Sequence, residues 1–286
     1  MRAPTGYCGA VHQLPLRTLA FPAGIRLVLL LALLGLGLAG RAGAQVLRRP
    51  IPDKLVVLTF DDAAVSHATF VAPLLKKYGF GGTFYVCEFR EPPFADKTKY
   101  MSWAQIQGLH RQGFEVGSHT LTHQHVNKMS RPQLGAELDS IEARCRAWGI
   151  AKPSTFAYPG YDTHATATEL LPERGYLFAR AGGARAYNPA TDHPMLLPSF
   201  SIAGPDKAKV FAAIKQAHDG RVVILTVHGV PDVAHDWVTT SPALFKEYLK
   251  YLHDNHYRVI ALRDLARYVN VREALRMLTP SYENLK

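Results

Sequence analysis

Several strong signatures are missing from this 286-residue chain. It has three cysteines and no C-x-x-C, which excludes a cysteine-based zinc module and a disulfide scaffold. No block of Lys and Arg interleaves with aromatics, so nothing reads as a nucleic-acid surface. There is no internal repeat, and no dense His or Cys tract of the kind that metal storage needs. The longest apolar run, Leu27 to Ala39, is too short for a comfortable membrane span.

That run belongs to a different feature. Arg2, Arg17 and Arg26 precede it and Ala42-Gly43-Ala44 follows it, the order of a secretory signal. Residues 1–44 are read as that signal, cleaved before Gln45, with an uncleaved anchor as the alternative. Four of the 33 basic residues and none of the 23 acids lie in it, which leaves 29 against 23, a net charge of +6. The expected protein is exported, to the periplasm or beyond, mildly basic, and without stable membrane insertion after cleavage. Cys8 leaves with the signal. Cys87 closes an expected strand and Cys145 lies on an expected helix; a bond between them and two separate buried thiols are the alternatives.

After a polar, proline-punctuated linker over 45–52, strand and helix alternate to about residue 272. Leu55 to Phe60 and, after its opening arginine, Arg221 to Val227 are apolar runs broken only by a threonine, as in strands buried on both faces. Further strands are expected at 82–87, 114–118, 154–157, 176–180, 196–202 and 257–262. Helical spacing follows Ser66, and Ser102 with Gln105 and Ser130 with Gln133 are capping boxes. Thr163 or Thr166 is the expected cap of the next helix. This alternation calls for a parallel sheet, open or curled into a barrel, in one domain over 53–272 with a helical tail over 273–286.

Chemistry-bearing residues gather at the ends of these strands. Asp61-Asp62 follow the first, His119 and His123 the third, Tyr158-Pro159-Gly160 the fourth, and His228 the run at 221–227. In a parallel barrel such ends share one rim. His119 and His123, at i and i+4, are expected on one side of a helical turn, where both imidazoles reach one ion. His125, at i+6, turns away from the pair. Two imidazoles and one carboxylate suit a divalent metal, zinc above others, with a position left open. One acid then binds the ion while the other takes a proton from water, and His228 supplies the proton that a leaving amine requires. Which acid does which is not decided by the residues.

Thr59-Phe60-Asp61-Asp62, His119-Thr120-Leu121-Thr122-His123 and Leu225-Thr226-Val227-His228-Gly229 resemble, in order, three motifs of the polysaccharide deacetylases, the NodB-homology group or carbohydrate esterase family 4. The resemblance spans nearly all of 53–268. It implies a distorted (β/α) barrel of about seven parallel strands that removes N-acetyl groups from amino sugars of a polymeric glycan. It also implies roles: Asp61 as general base, Asp62, His119 and His123 as metal ligands, His228 as general acid, and the Gly160 N–H as oxyanion donor. One departure stands out. The position where many members carry an Arg that orients the base is Ala157 here, and Arg180, at the end of the next strand, is the nearest substitute. The usual Asp-and-Trp motif is also missing in its usual form, and Asp232 or Asp236 with Trp237 are the candidates to support His228. Tyr161, Tyr187 and Trp237 are expected in rim loops as surfaces for sugar rings. The rival readings are a metal-dependent amide or imide hydrolase of small molecules and a non-catalytic carbohydrate-binding protein. Retention of Asp61, Asp62, His119, His123 and His228 argues against the second.

Overall fold

A computed structural model describes residues 46–91 and 93–286; the signal expected over 1–44 lies outside them. Eight strands form in chain order: β1 Leu55–Phe60, β2 Thr83–Val86, β3 Glu115–Ser118, β4 Thr155–Ala157, β5 Phe178–Gly183, β6 Leu197–Ser201, β7 Val223–Val227 and β8 Arg258–Ile260. Between and after them lie α1 Ala72–Tyr78, α2 Trp103–Arg111, α3 Arg131–Ala147, α4 Ala165–Glu173, α5 Lys207–Ile214, α6 Pro242–Asp254 and α7 Val271–Met277.

All strand pairings are parallel, and β1 to β7 close into a ring. β1 pairs with β7 from Val56 to Phe60 on one edge. Its other edge is divided: Thr59 and Phe60 pair with β2, whereas Leu55 to Val57 pair with β8. The eighth strand thus fills the seam where β1 and β2 splay apart. Gly81, just before β2, donates its N–H to Val259 at 3.0 Å, and a Cβ there would lie 2.8 Å from the Ala261 nitrogen. Only a residue without a side chain lets β8 approach this closely.

The period of two along β1 sorts its residues. Val56, Leu58 and Phe60 join the apolar layer beneath α1, α2, α5 and α6. Leu55 and Val57 join Tyr85, Ala157, Leu197 and Ile224 from other strands, which makes theirs the interior layer. Towards the carboxyl ends this interior turns polar, with Thr59, Asp61, Arg180, Ser199 and Thr226 all buried. The opposite end is plugged by residues 262–277, and buried Glu115 anchors the plug by accepting from Thr83, Thr155 and the Arg263 N–H.

The flanking segments are part of this body. Leu47 bridges Val269, Arg48 donates to the Tyr268 carbonyl, and Val46 is buried, so the stretch read as a linker is tied down. In the tail, Leu285 is buried and its carbonyl accepts from Gly182 at 3.0 Å. α4 is capped by His164, whose ring accepts from the Thr166 N–H, rather than by Thr163 or Thr166. Cys87 and Cys145 are separate, buried free thiols, and burial pushes Cys145 up to about 12. No helix among the described residues is long and apolar enough to cross a membrane.

The seam predicts the effect of Gly81→Ala. A methyl group that close to two backbone atoms of β8 forces the strand outward, at a cost of about 1–3 kcal/mol. The urea midpoint of Gly81→Ala should fall accordingly; an unchanged midpoint would show that β8 does not depend on this approach.

Candidate active site

Parallel topology brings the strand ends to one rim, where they line a cleft of about 450 Å³. Asp61 continues the β1 ladder, its N–H donating to Val227 at 2.9 Å, and Asp62 turns out of it with φ of +72°. Both carboxylates are buried, at 2% and 5% exposure. Nδ1 of His119 donates to the Ala157 carbonyl at 2.8 Å, which leaves Nε2 as the free acceptor. That Nε2 lies 3.5 Å from Asp62 Oδ1, and His123 Nε2 lies 3.4 Å from the same oxygen.

The two histidines converge for a reason other than the expected helical turn. Residues 119–123 form an irregular bend, with Thr120 and His123 in the left-handed region. Glu137 of α3 holds the bend, accepting from the N–H groups of Leu121 and Thr122 at 2.8 and 2.7 Å and from the Thr122 hydroxyl at 2.8 Å. Non-glycine left-handed residues are strained by roughly 1–3 kcal/mol each, and the clamp offsets that strain. Glu137 was missed in the sequence, although it sits beside the buried Leu134 and Leu138 of its helix.

Burial alone would raise the Asp62 carboxyl, but His119, His228 and His123 around it hold it far below the usual range. Burial pushes His119 down, and the carboxylates of Asp62 and Asp61 more than restore it, so it ends above its ordinary value. Burial and the neighbouring His119 push His123 down to about 4, which keeps it neutral. The donor atoms of Asp62, His119 and His123 lie within 4.8 Å of one another. Asp62 Oδ1 is buried without a hydrogen-bond partner. An orphaned anionic oxygen facing two imidazole nitrogens fits a divalent ion.

Asp61 is held from β5. Arg180 is fully buried at 0% exposure and donates to Asp61 Oδ2 at 2.5 Å and to Thr226 Oγ1 at 2.8 Å. Its guanidinium lies 5.5 and 5.4 Å from the rings of Tyr85 and Tyr161. Ala157, one strand away, is small and lends only its carbonyl to His119. Asp61 Oδ1 is left without a partner.

The remaining residues separate. His228 Nε2 lies 3.8 Å from Asp62 Oδ2, and its Nδ1 has no partner. Asp232 does not support it: that carboxylate accepts from the backbone N–H groups of Gly229, Ala234 and His235, and the imidazole 3.7 Å away is that of His235. Asp236 is exposed on a short helix and its carboxylate meets no partner among the described residues. Tyr187 is a correction as well, being fully buried in the interior layer away from the rim. Trp237, 74% exposed, and Tyr161 do line the cleft. Gly160, at φ +60°, leaves room for the His125 ring, which a Cβ would meet at 2.4 Å. His125 donates to Asp162 at 2.7 Å, turned aside from the His119–His123 pair.

Residues 48–179 match the polysaccharide deacetylase family model. Among solved structures the chain is similar to the chitin deacetylase of Colletotrichum lindemuthianum, at 17% identity and a TM-score of 0.55, covering 79% of this chain and 94% of that one. It is similar to a family 4 acetyl xylan esterase from Clostridium thermocellum in complex with a cobalt ion, at 23% identity, 74% and 89% coverage and a TM-score of 0.51. A family 4 pseudoenzyme from Bacillus anthracis is also similar, at 15% identity, 75% and 66% coverage and a TM-score of 0.52. At these identities the likeness is one of fold. No curated protein matches the chain in sequence. Over residues 48–179 the chain thus matches the polysaccharide deacetylase family, and the closed seven-strand ring and the motifs at its rim agree with that match.

Proposed function

We propose that this protein is an exported, metal-dependent hydrolase that removes N-acetyl groups from amino sugars of a polysaccharide. The observation that carries the reading is the placement of Asp62, His119 and His123 around one point, beside an Asp61 held by a buried arginine. Asp62, His119 and His123 hold the ion, and two neutral imidazoles with one carboxylate favour zinc among divalent transition metals. When bound, the ion supplies Lewis acidity to the acetyl carbonyl and to water at the site.

The chain's own residues do the rest. Asp61 is the general base: Arg180 occupies Oδ2, and the unpartnered Oδ1 is the oxygen that takes the proton. The Gly160 N–H, on the cleft wall, is the donor to the acetyl oxygen as negative charge develops on it. His228, just past the carboxyl end of β7 and lining the same cleft, is the proton donor to the departing amine. An amine leaves only when protonated, so a proton donor at this place favours an amide over an ester. Trp237 and Tyr161 offer apolar faces to sugar rings at the mouth of the cleft. Export through residues 1–44 agrees with a polymeric substrate outside the cytoplasm.

Acetate release from chitooligosaccharides and peptidoglycan by zinc-loaded protein tests the reading. Asp61→Asn should lower the rate by about 10²–10⁴-fold, and His123→Ala should carry far less zinc than the near-stoichiometric wild type. If wild type and both variants behave alike on every polymer, the proposal fails. Release from acetyl xylan alone would place the activity on esters.

The ion pair makes a separate prediction. Arg180→Met leaves Asp61 as an unpaired buried charge, a loss of about 3–5 kcal/mol. Adding Asp61→Asn should recover most of it, and denaturant titration of the two single variants and the double variant measures the coupling. Additive losses would show that the pair does not interact as drawn.

A further inference from the structure

The cleft contains one more imidazole, to which neither motif nor family resemblance assigns a role. His235 lies on the turn after β7, next to the short helix Asp236–Val238, and is 7% exposed. The rings of Phe89 and Trp237 stand 5.0 and 5.4 Å from it. Its Nε2 meets the Tyr100 hydroxyl at 3.3 Å. Its Nδ1 has no hydrogen-bond partner and lies 3.7 Å from both Asp62 Oδ2 and Asp232 Oδ1.

These contacts set the direction of the ring's proton. Burial raises the Tyr100 hydroxyl well above its ordinary value, so it stays a donor at neutral pH. A hydroxyl donating to Nε2 leaves the imidazole proton on Nδ1, which points between two carboxylates. Asp232 cannot swing away. Its Oδ2 accepts from Gly229 at 3.0 Å, its Oδ1 accepts from Ala234 and His235 at 2.9 and 2.7 Å, and its own N–H donates to Thr239 at 2.8 Å.

Asp62 has the complementary need. Its Oδ1 faces His119 and His123, while its Oδ2 faces His228 at 3.8 Å and His235 at 3.7 Å. A carboxylate that offers one oxygen to an ion is held in direction by what its other oxygen meets. Both imidazoles facing Oδ2 have an unpartnered Nδ1, but the other ring nitrogen of His235 meets Tyr100 and its backbone N–H donates to Asp232 at 2.7 Å.

We propose that His235 is a positioning residue for the metal site, its Nδ1–H directed at Oδ2 of Asp62 from 3.7 Å so that Oδ1 is presented beside His119 and His123. The proposal rests on the reading of Asp62, His119 and His123 as the ligand set. Asp232 and Tyr100 act through His235. The loop from Gly229 to Val238 thereby supports the ion's carboxylate on its inner side and carries Trp237 on its outer side.

Zinc affinity, measured on the whole chain by competition with a chromogenic chelator, reads this role without reference to turnover. His235→Ala should weaken zinc binding by about 10–100-fold. Tyr100→Phe, which removes one oxygen and no packing, should weaken it by a smaller factor in the same direction. His235→Asn, which keeps a side-chain N–H near the position of Nδ1, should recover part of the loss. Should His235→Ala fold poorly by circular dichroism, Tyr100→Phe decides. Wild-type affinity in both His235→Ala and Tyr100→Phe overturns the proposal, as does a loss in His228→Ala equal to that in His235→Ala. A wild-type chain that binds no zinc overturns the ligand assignment itself.

Discussion

Two adjacent carboxylates are buried at the end of the central strand, and the surroundings of this site answer that constraint. A buried carboxylate without a partner is costly enough that it would sooner take up a proton than stay charged. Asp61 and Asp62 are answered by different means. Asp61 receives the guanidinium of Arg180 from across the barrel. Asp62 receives imidazoles: His119 and His123 at one oxygen, His228 and His235 at the other. This division makes two like residues chemically unlike. A carboxylate locked to an always-charged arginine is held in place with one oxygen free. A carboxylate ringed by imidazoles can share an ion with them.

Holding such a site costs backbone strain, and the strain is countered locally. Asp62, Ala63, Thr120, His123 and Tyr161 all have positive φ around the rim. Side chains tie the rim: Glu137 clamps the bend between the two histidines, Asp232 gathers three N–H groups of its own loop after β7, and His125 with Asp162 braces the turn at Gly160. Glu137 and Asp232 hold backbone rather than substrate. They are why loops at the mouth of the barrel keep a fixed geometry.

Much of this was legible in the chain. Leu55 to Phe60 and Arg221 to Val227 read as doubly buried strands because their runs are mostly apolar and rich in branched residues, and Val56 to Phe60 pair in register with Val223 to Val227. The acids and histidines could be placed on one rim because parallel strands all end on the same side. Trp237 was legible as a rim residue, but Tyr187 was not legible as a core residue, since aromatics in irregular stretches look alike until the chain is folded. The helical turn expected between His119 and His123 failed because spacing of four is also met by a strained bend when a carboxylate clamps it.

What the sequence determined by itself was the order and chemistry of the parts: the alternation of strand and helix, the acid pair and the histidines at strand ends. Local periodicity and residue type carry those. The tertiary structure decided which groups meet. Arg180 reaches Asp61 from β5 although Ala157 occupies the expected position on β4, because both strands present side chains to the same interior layer. Asp232 turned to His235 rather than His228, and β8 filled a seam that no local pattern marks. Ring closure brings residues distant in sequence into ion-pair range, and separation along the chain has no bearing on which of them touch.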